Sequence, residues 1–301
     1  MKQYLMNNIS NCPVCFGSVF TDFLKTQDFF LSNEKFTIKQ CSGCGFKFTN
    51  PKPGLNELPK YYKSTEYISH SNANDGIINK IYQKVRAYTL KKKLQLIESY
   101  IPEGQILDIG CGTGEFLNTM QESNFIATGI EPNMEARQFA KRNYGLAVYD
   151  EADIPGFQKN EFDVISMWHV LEHVYNLKER ISQIKDLISE NGILIVAVPN
   201  PSSWDAKHYN KFWAAYDCPR HLYHFDHAAI KKLFSNYGFE VIKLKPMYFD
   251  SFYVSMLSEK YKQSKFQFLK GMTNGLFSNI SAVFNQGNYS SIIYVLKQIK
   301  A

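Results

Sequence analysis

The sequence predicts an α/β protein in which a doubly wound parallel sheet carries a small metal-binding module at its N-terminus. Three observations support this prediction. Short β-branched runs alternate with helical segments from residue 105 onward, and this alternation is typical of a parallel sheet with helices on both faces. A glycine-rich loop follows the first of these runs. Two Cys-x-x-Cys pairs lie within the first 50 residues.

The strands and helices of the sheet domain can be assigned in chain order. The predicted strands cover residues 105–110, 126–131, 147–150, 162–169 and 192–199. The helical segments between them cover 114–123, 134–144 and 177–190. Asp226 is placed to cap a further helix over 228–237. Two late strands are predicted at 239–247 and 291–296, with an inserted helical segment at about 250–286 between them.

Composition divides the chain into three predicted parts. Residues 1–50 hold the cysteine pairs, and a breaker with two prolines and a glycine at 50–54 marks their boundary. Residues 51–100 carry apolar side chains at roughly helical spacing, which predicts a helical cap or bridge. Residues 101–301 form the sheet-containing domain.

Charge and hydropathy exclude several classes of protein. The formal net charge of +6 is mild, whereas a committed nucleic-acid binder usually has a steeper or more concentrated basic bias. The basic run Lys91-Lys92-Lys93 is predicted to lie on the solvated face of a helix. No signal peptide is recognisable, and the longest apolar run, 193–198, is far too short to span a bilayer. We therefore expect a cytoplasmic protein without a membrane span, peripheral to a membrane at most.

The two cysteine pairs predict a zinc site. Cys12 and Cys15 form one Cys-x-x-Cys unit, and Cys41 and Cys44 form a second after a gap of 25 residues. In a reducing compartment such pairs indicate metal ligands before disulfides. Four thiolates on two tight turns suit tetrahedral Zn²⁺ in a structural site, and the gap can hold a short hairpin. Two chance cysteine pairs are the alternative to this zinc ribbon.

The glycine-rich loop carries the strongest chemical signal in the chain. A buried strand ends at Asp108 and Ile109, and glycines follow at alternate positions, Gly110, Gly112 and Gly114. Glycines let the backbone approach a ligand closely, and the next helix offers free N–H groups at its start. The spacing departs from that of dinucleotide sites. Asp108 would repel a pyrophosphate and would suit a ligand with an ammonium group.

Two further acids end the next two predicted strands. Glu131 lies about twenty residues beyond the loop, where an acid in such folds takes a ribose diol. Asp150 closes the third strand, with Glu151 beside it.

Residues 105 to 200 resemble the class I S-adenosylmethionine-dependent methyltransferases. The resemblance implies a seven-stranded Rossmann-like sheet that ends in an antiparallel hairpin, and S-adenosylmethionine as the methyl donor. It also implies that the loop holds the methionine part, that Glu131 holds the ribose and that Asp150 lies near the adenine. The predicted cofactor-binding residues are Asp108, Gly110, Cys111, Gly112, Thr113, Gly114, Glu131, Pro132, Asp150, Glu151 and Trp168.

The segment after the fourth strand narrows the implied substrate class. Its sequence Leu171-Glu172-His173-Val174 recurs in small-molecule methyltransferases of this kind, and the motif of the amino-methylating DNA enzymes is missing. The whole chain resembles a bacterial group of methyltransferases with an N-terminal ribbon, which is associated with sugars and other metabolites. A DNA substrate is therefore not expected.

Residues 202–227 follow the fifth strand and should cover the transferable methyl group, because ligands lie beyond the carboxyl ends of such strands. The related enzymes share the pattern D-x-P-R-H-L-Y-H-F, which begins here at Asp217. The predicted catalytic residues are His221, then His169 and His173, as candidate bases. Arg220 is predicted to bind an anionic group. Each histidine could instead make only a structural hydrogen bond, and a second metal site among them is disfavoured by their loose spacing.

His227 falls in the first turn of the helix capped by Asp226 and is expected at the surface. The leading hypothesis for function is a methyltransferase for a small molecule or glycan precursor, acting on oxygen. A zinc-ribbon RNA methyltransferase is one alternative, which the mild net charge disfavours. A scaffold that merely binds cofactor or partners is another, which the intact loop disfavours. The sequence predicts no oligomeric state.

Overall fold

The N-terminal cysteine pairs lie on a small antiparallel sheet. The computed structural model describes residues 6–62 and 77–299. The first five strands are β1 (Met6–Asn7), β2 (Phe20–Gln27), β3 (Lys35–Cys41), β4 (Lys47–Thr49) and β5 (Lys52–Pro53). Strands β2 and β3 form the hairpin expected between the two cysteine pairs. Strand β4 pairs with β3, and β1 and β5 form a separate two-stranded pair.

The remaining strands build the central sheet and one extra pairing. They are β6 (Gly104–Ile109), β7 (Phe125–Ile130), β8 (Ala147–Tyr149), β9 (Phe162–Trp168), β10 (Ile188–Pro199), β11 (Tyr223–His224), β12 (Phe239–Pro246) and β13 (Ser291–Gln298). The order in the seven-stranded sheet is β12-β13-β10-β9-β6-β7-β8. Strand β13 runs antiparallel to both of its neighbours, and the other pairings from β8 to β10 are parallel. The doubly wound fold with its late antiparallel hairpin is thus confirmed.

Helices cover both faces of this sheet. They are α1 (Ile77–Glu98), α2 (Glu115–Gln121), α3 (Met134–Tyr144), α4 (Leu177–Leu187), α5 (Trp204–Tyr209), α6 (His227–Ser235), α7 (Asp250–Tyr261) and α8 (Gln267–Phe284). Because both faces are covered, the central strand β10 is a continuous buried apolar run at 193–198 rather than an alternating one. Two apolar clusters pack on the central sheet, one on each side, and a third joins the N-terminal strands to residues 206–218.

Three sequence-based expectations need correction or restriction. The helix predicted over 177–190 ends at Leu187, because Ile188 already pairs with Phe162 in the sheet. Asp226 caps α6 as predicted, but His227 is half-buried against Tyr294 rather than at the surface. The part of the predicted helical cap at residues 63–76 lies outside the described residues.

The N-terminal sheet is completed by a strand from the middle of the chain. Strand β11, in the segment predicted to cover the cofactor, pairs with β4 so that Tyr223 faces Phe48. Side chains of the ribbon, such as Phe46, pack in one cluster with Leu222 and Phe225. The ribbon and the segment that contains β11 therefore share both a sheet and an apolar core. Over the part of the chain that the structure describes, no helix is long and apolar enough to cross a membrane.

Candidate active site

The glycine-rich loop lies at the carboxyl end of β6 and has the geometry of a ligand cradle. Gly110 has a φ of 76°, and a Cβ atom there would lie 2.4 Å from Cγ2 of Val170, so only glycine fits this close approach. The backbone at Gly112 also has a positive φ, but a Cβ there would meet open space. The loop therefore packs against the 169–173 segment on one side and leaves Gly112 facing an open region.

Asp108 places a buried carboxylate beneath this loop. Its side chain is only 2% exposed, and Oδ1 accepts a hydrogen bond of 2.6 Å from Ser166 Oγ. Burial raises the pKa of Asp108 to about 7, although Ser166 and the nearby Lys93 act in the opposite direction. An acid in this state is suited to pair with a cationic group of a ligand.

Glu131 connects the second strand to the loop. Its carboxylate accepts the backbone N–H of Gly112 at 2.8 Å and that of Asn133 at 2.9 Å, across the intervening Pro132. Burial raises the pKa of Glu131, and these backbone hydrogen bonds counteract the rise. The carboxylate thus fixes the loop conformation and keeps lone pairs for a ligand hydroxyl.

The acids after the third strand are more exposed and are paired with arginines. Asp150 Oδ2 lies 2.6 Å from Arg137 Nη1, and Glu151 Oε1 lies 2.7 Å from Arg180 Nη2. Asp150 also accepts the backbone N–H of Ala152 and caps the short 3-10 helix that follows. Arg137 in addition donates to the carbonyl oxygen of Glu131 at 2.6 Å. Both acids therefore lie at the edge of the loop region rather than beneath it.

Two other loop residues are held by neighbours. Thr113 donates from Oγ1 to Oε2 of Glu115 at 2.8 Å, and Arg86 of α1 pairs with the same carboxylate. Cys111 is buried under the loop, and burial raises the pKa of its thiol. Its side chain packs in the apolar cluster on this side of the sheet, where a Cβ atom at Gly129 would lie 2.6 Å from its Sγ.

The environment of Trp168 identifies a site residue that the sequence reading missed. Lys93 was predicted to be solvated, but its Nζ lies 4.0 Å from the centre of the Trp168 indole ring, and burial lowers its pKa to about 8. Helical spacing from Leu90 to Leu94 and Ile97 could have shown that this lysine faces inward. Trp168 Nε1 is buried and finds no acceptor among the described residues. An unpaired donor next to Lys93 and Phe116 fits a ligand that offers polar atoms here.

His169 lies between two carboxylates. It has a φ of 57° at the end of β9, and its Nε2 is 3.0 Å from Oδ2 of Asp250 while Nδ1 is 3.5 Å from Oε1 of Glu172. Burial lowers its pKa, but hydrogen bonds to Asp250 and Glu172 outweigh burial and raise it to about 10. His169 is therefore cationic at neutral pH. Asp250 begins an inserted helix, and no local sequence signal connects it with this site.

Glu172, His173 and His221 form a second cluster, in which one donor atom of each lies within 4.8 Å of the others. Nδ1 of His173 is 3.1 Å from the carbonyl oxygen of Arg220, and Nδ1 of His221 is 2.8 Å from that of Ala215. Because a carbonyl oxygen can only accept, Nδ1 of His221 carries the hydrogen and its Nε2 keeps a lone pair. Nδ1 of His173 also lies 3.1 Å from the hydroxyl of Tyr62, so it can either donate to the carbonyl or accept from that hydroxyl.

Both oxygens of Glu172 are buried. Among the described residues Oε1 has only the long contact of 3.5 Å with Nδ1 of His169, and Oε2 has no hydrogen-bond partner. Two imidazole rings, each with a nitrogen within 4.8 Å of such a carboxylate, favour a cation among them, either a proton or a divalent metal. Burial lowers the pKa of His173 to about 4. The cluster therefore brings together two of the three predicted bases with an acid that the sequence reading left unassigned.

Arg220 needs reassignment. Its guanidinium is 1% exposed and pairs with Asp28 at 2.8 Å and with Asp217 at 2.6 Å. It also donates to the carbonyl oxygen of Tyr61 at 3.0 Å. Since these groups use its donors inside the protein, the predicted contact with an anionic substrate group is not supported. The arginine instead fixes the 217–221 turn and hence the ring of His221.

The four N-terminal cysteines converge as predicted. Cys12 Sγ lies 3.6 Å from Cys44 Sγ, Cys15 Sγ lies 3.5 Å from Cys41 Sγ, and all four sulfurs are within 4.8 Å of one another. Zn–S bonds of about 2.3 Å in a tetrahedron separate the sulfurs by about 3.8 Å. The donor set and its spacing fit a structural zinc ion.

Comparison with known proteins decides the family. A family model described as a methyltransferase domain matches residues 82–244, which is more than half of the chain. The chain belongs to the class I S-adenosylmethionine-dependent methyltransferases. The matched region of this methyltransferase begins within α1 and includes the glycine-rich loop, the histidine clusters and the strand that pairs with the ribbon.

Curated relatives of the methyltransferase match over part of their length. The ubiquinone biosynthesis O-methyltransferase of Rickettsia prowazekii (strain Madrid E) is 29% identical over 149 residues, which cover 48% of this chain and 59% of that protein. The protein of the same name from Glaesserella parasuis serovar 5 (strain SH0165) is 34% identical over 107 residues, 32% of this chain and 45% of that protein. The chain thus spans about half the length of these relatives.

Solved structures of methyltransferases share the fold. Magnesium protoporphyrin IX methyltransferase from Synechocystis PCC 6803, solved with bound SAH, superposes with a TM-score of 0.52 at 14% identity. The match covers 81% of this chain and 100% of that one. Phosphoethanolamine N-methyltransferase 2 of Haemonchus contortus gives a TM-score of 0.51 at 14% identity, over 93% of this chain and 69% of that one.

Proposed function

We propose that the enzyme transfers a methyl group from S-adenosylmethionine to a hydroxyl oxygen of a small molecule. The observation that carries this proposal is the cluster of Glu172, His173 and His221, because methylation of a hydroxyl requires a group that takes its proton. The cluster follows Val170, whose side chain packs on Gly110 of the glycine-rich loop. The two O-methyltransferase relatives support oxygen as the acceptor atom. Glycan precursors and other metabolites with hydroxyl groups fit equally.

In this proposal each predicted cofactor-binding residue contacts a different part of S-adenosylmethionine. Bound S-adenosylmethionine supplies an electrophilic methyl group on a sulfonium. Asp108 would pair with its ammonium group, and Glu131 would accept hydrogen bonds from its ribose hydroxyls. Asp150 and Glu151 border the adenine end, and Trp168 offers its unpaired Nε1 to an acceptor on the bound molecule.

His221 is the preferred base. Its Nδ1 is bonded to the carbonyl oxygen of Ala215, so Nε2 keeps the lone pair that can take the proton of the acceptor hydroxyl. The imidazolium is then stabilised by Glu172 of the same cluster. His173 shares the cluster but burial holds its pKa near 4, which makes it a weak proton acceptor. His169 is already protonated and orients Glu172 instead.

A structural zinc ion in the N-terminal ribbon completes the proposal. Ribbon and active site are connected because Thr49, at the end of β4, donates from Oγ1 to the carbonyl oxygen of His221 at 2.9 Å. The backbone N–H of Thr49 also donates to the carbonyl oxygen of Leu222 at 2.9 Å. Zinc would thus hold β4 and, through it, the backbone of the proposed base.

A methyl-transfer assay with paired variants tests the proposal. The enzyme is incubated with S-adenosylmethionine and separate pools of phenolic and sugar hydroxyl compounds, and release of S-adenosylhomocysteine is measured. We expect turnover with a hydroxyl acceptor and a loss of about 10²–10⁴-fold in kcat in His221→Gln. His208→Gln, an exposed histidine on α5, is the matched control and should keep its rate.

A product that carries the new methyl group on nitrogen or carbon would refute transfer to oxygen. Equal rates in His221→Gln and His208→Gln would refute His221 as the base. Structured RNA is included as a further acceptor. Turnover on RNA alone, with strongly salt-dependent binding, would support the RNA methyltransferase alternative instead.

A further inference from the structure

In the inserted helix α8, small residues face the protein interior and large apolar residues face outward, the reverse of a usual surface helix. Its inner face consists of small residues, Gly271, Gly275, Ser278 and Ala282, all of which are buried. A Cβ atom at Gly275 would lie 2.7 Å from Cα of Phe252, so α7 and α8 are in backbone contact. Large apolar residues are therefore not needed to attach α8 to the protein.

The large apolar side chains of α8 point to the outside. Six of them, with exposed fractions between 48% and 86%, are Leu269, Leu276, Phe277, Ile280, Val283 and Phe284. At 3.6 residues per turn these positions fall on one side of the helix, opposite the small residues. A helix on the surface of a monomer usually shows polar residues there, and a contiguous apolar patch of this kind marks an interaction site.

The α8 face is held firmly in place. Ser278 Oγ on the inner face donates to Oδ1 of the buried Asp205 at 2.7 Å. Oδ2 of the same carboxylate accepts from Trp213 Nε1 and from Ser290 Oγ, each at 2.7 Å. The apolar face is therefore a fixed surface next to the segment over the active site, and Phe277 of α8 contacts Trp204 at 5.8 Å between ring centres.

The charges around this face identify its partner. Lys260, Lys262, Lys265 and Lys270 are exposed in and between α7 and α8, and the sequence contains neither Asp nor Glu from residue 260 to its end. A two-fold dimer through α8 would place these lysines near their own copies. An anionic lipid surface instead complements both features, because lysines attract the headgroups while the apolar face enters the interfacial region.

We propose that the α8 face docks the enzyme on the surface of an anionic membrane. The helix lies in the interface and does not span the bilayer. Docking would place the active-site segment next to the lipid, whatever the methyl acceptor is. This inference is independent of the proposed function, since it needs neither cofactor nor acceptor.

Vesicle flotation with the whole chain tests this proposal. The probes are vesicles of phosphatidylcholine alone and vesicles that contain phosphatidylglycerol. We expect partitioning onto the anionic vesicles to exceed that onto the neutral ones by about tenfold and to fall with salt. Leu276→Asp/Ile280→Asp should lower partitioning about tenfold. Leu55→Asp/Ile126→Asp introduces the same two negative charges at exposed apolar residues outside α8. This control variant should partition onto vesicles as the wild type does.

Lys262→Glu/Lys265→Glu should weaken binding to anionic vesicles only. Circular dichroism and sedimentation velocity of each variant show whether it is folded and monomeric. Absence of vesicle binding, equal binding to both lipids, or equal binding by the two apolar double variants would overturn the proposal. A stable dimer that Leu276→Asp/Ile280→Asp dissociates would also overturn it and would assign the face to a second copy of the chain.

Discussion

Arg220 and Asp28 form an ion pair of 2.8 Å in which both side chains are almost completely buried. Asp28 lies in the turn between β2 and β3 of the ribbon, where its carboxylate also accepts three backbone N–H groups. Arg220 directly precedes the proposed base. The pair therefore ties the far end of the ribbon hairpin to the active-site turn.

Removing one partner of this pair should destabilise the protein strongly. Asp28→Asn leaves the guanidinium with one fewer anion in a site closed to water, so we expect the free energy of unfolding to fall by about 3–5 kcal/mol. Urea unfolding measures the change. A double-mutant cycle with Arg220→Met isolates the pair. The exposed pair Lys39–Asp22 is the control, and Asp22→Asn should leave stability unchanged.

The ribbon metal should be required for the active-site turn. Cys41→Ser is expected to reduce the zinc content from about one ion per chain to well below one, and to lower kcat as well, because Thr49 then no longer fixes His221. Elemental analysis and the methyl-transfer assay give the two readouts. The neighbouring exposed Ser42→Ala should change neither. If Cys41→Ser lost zinc but kept full kcat, the ribbon would have no role in positioning His221.

Cofactor affinity should depend on pH through Asp108. Its pKa is near 7 because of burial, and only the ionised form attracts an ammonium group, so binding is strongest above pH 7. We expect the Kd for S-adenosylhomocysteine to rise by up to about tenfold per pH unit as pH falls below 7.

Calorimetry from about pH 5.5 to about pH 8.5, the range in which this acid titrates, measures this dependence. Asp108→Asn should bind weakly at all pH values, whereas the exposed Asp186→Asn should behave as the wild type. A pH dependence that persists in Asp108→Asn would assign it to another group, such as Lys93 or Glu131.

Mild chelation distinguishes the two cations that the Glu172 cluster could hold. With His221 as base, we expect full activity after a treatment that leaves only the ribbon zinc, since proton transfer needs no second ion. Elemental analysis before and after the treatment establishes the metal content. If chelation abolished activity, if added Mg²⁺ or Mn²⁺ restored it, and if Glu172→Gln prevented that recovery, a divalent metal would instead be placed at this cluster.

The parts of the site that follow from local spacing were predictable. Asp108, Gly110 and Glu131 lie at strand ends within one βαβ unit, and the sheet brings such ends together by construction. The four cysteines converge for a similar reason, because each pair sits on a single tight turn. Residues supplied by distant elements were not predictable in this way, since helix packing rather than sequence spacing places Lys93 and Asp250.

The error over Arg220 has the same origin. Its motif indicates a charged residue at the active site, but its partner Asp28 lies 192 residues earlier in the chain. A sequence without an alignment offers no sign of that pairing. The solvated position predicted for His227 likewise failed because the contact with Tyr294 of β13 closes over it.

The pairing of β11 with β4 determines where this protein could be cut and rejoined. A boundary at residue 50, which composition suggests, would separate two strands of one sheet and expose the edge of each. Replacing the ribbon with that of a homologue would therefore require replacing residues 217–225 with the homologue's corresponding segment as well. In a family that recombines its N-terminal modules, the ribbon and this central segment would be inherited as one unit, although more than 160 residues of sequence lie between them.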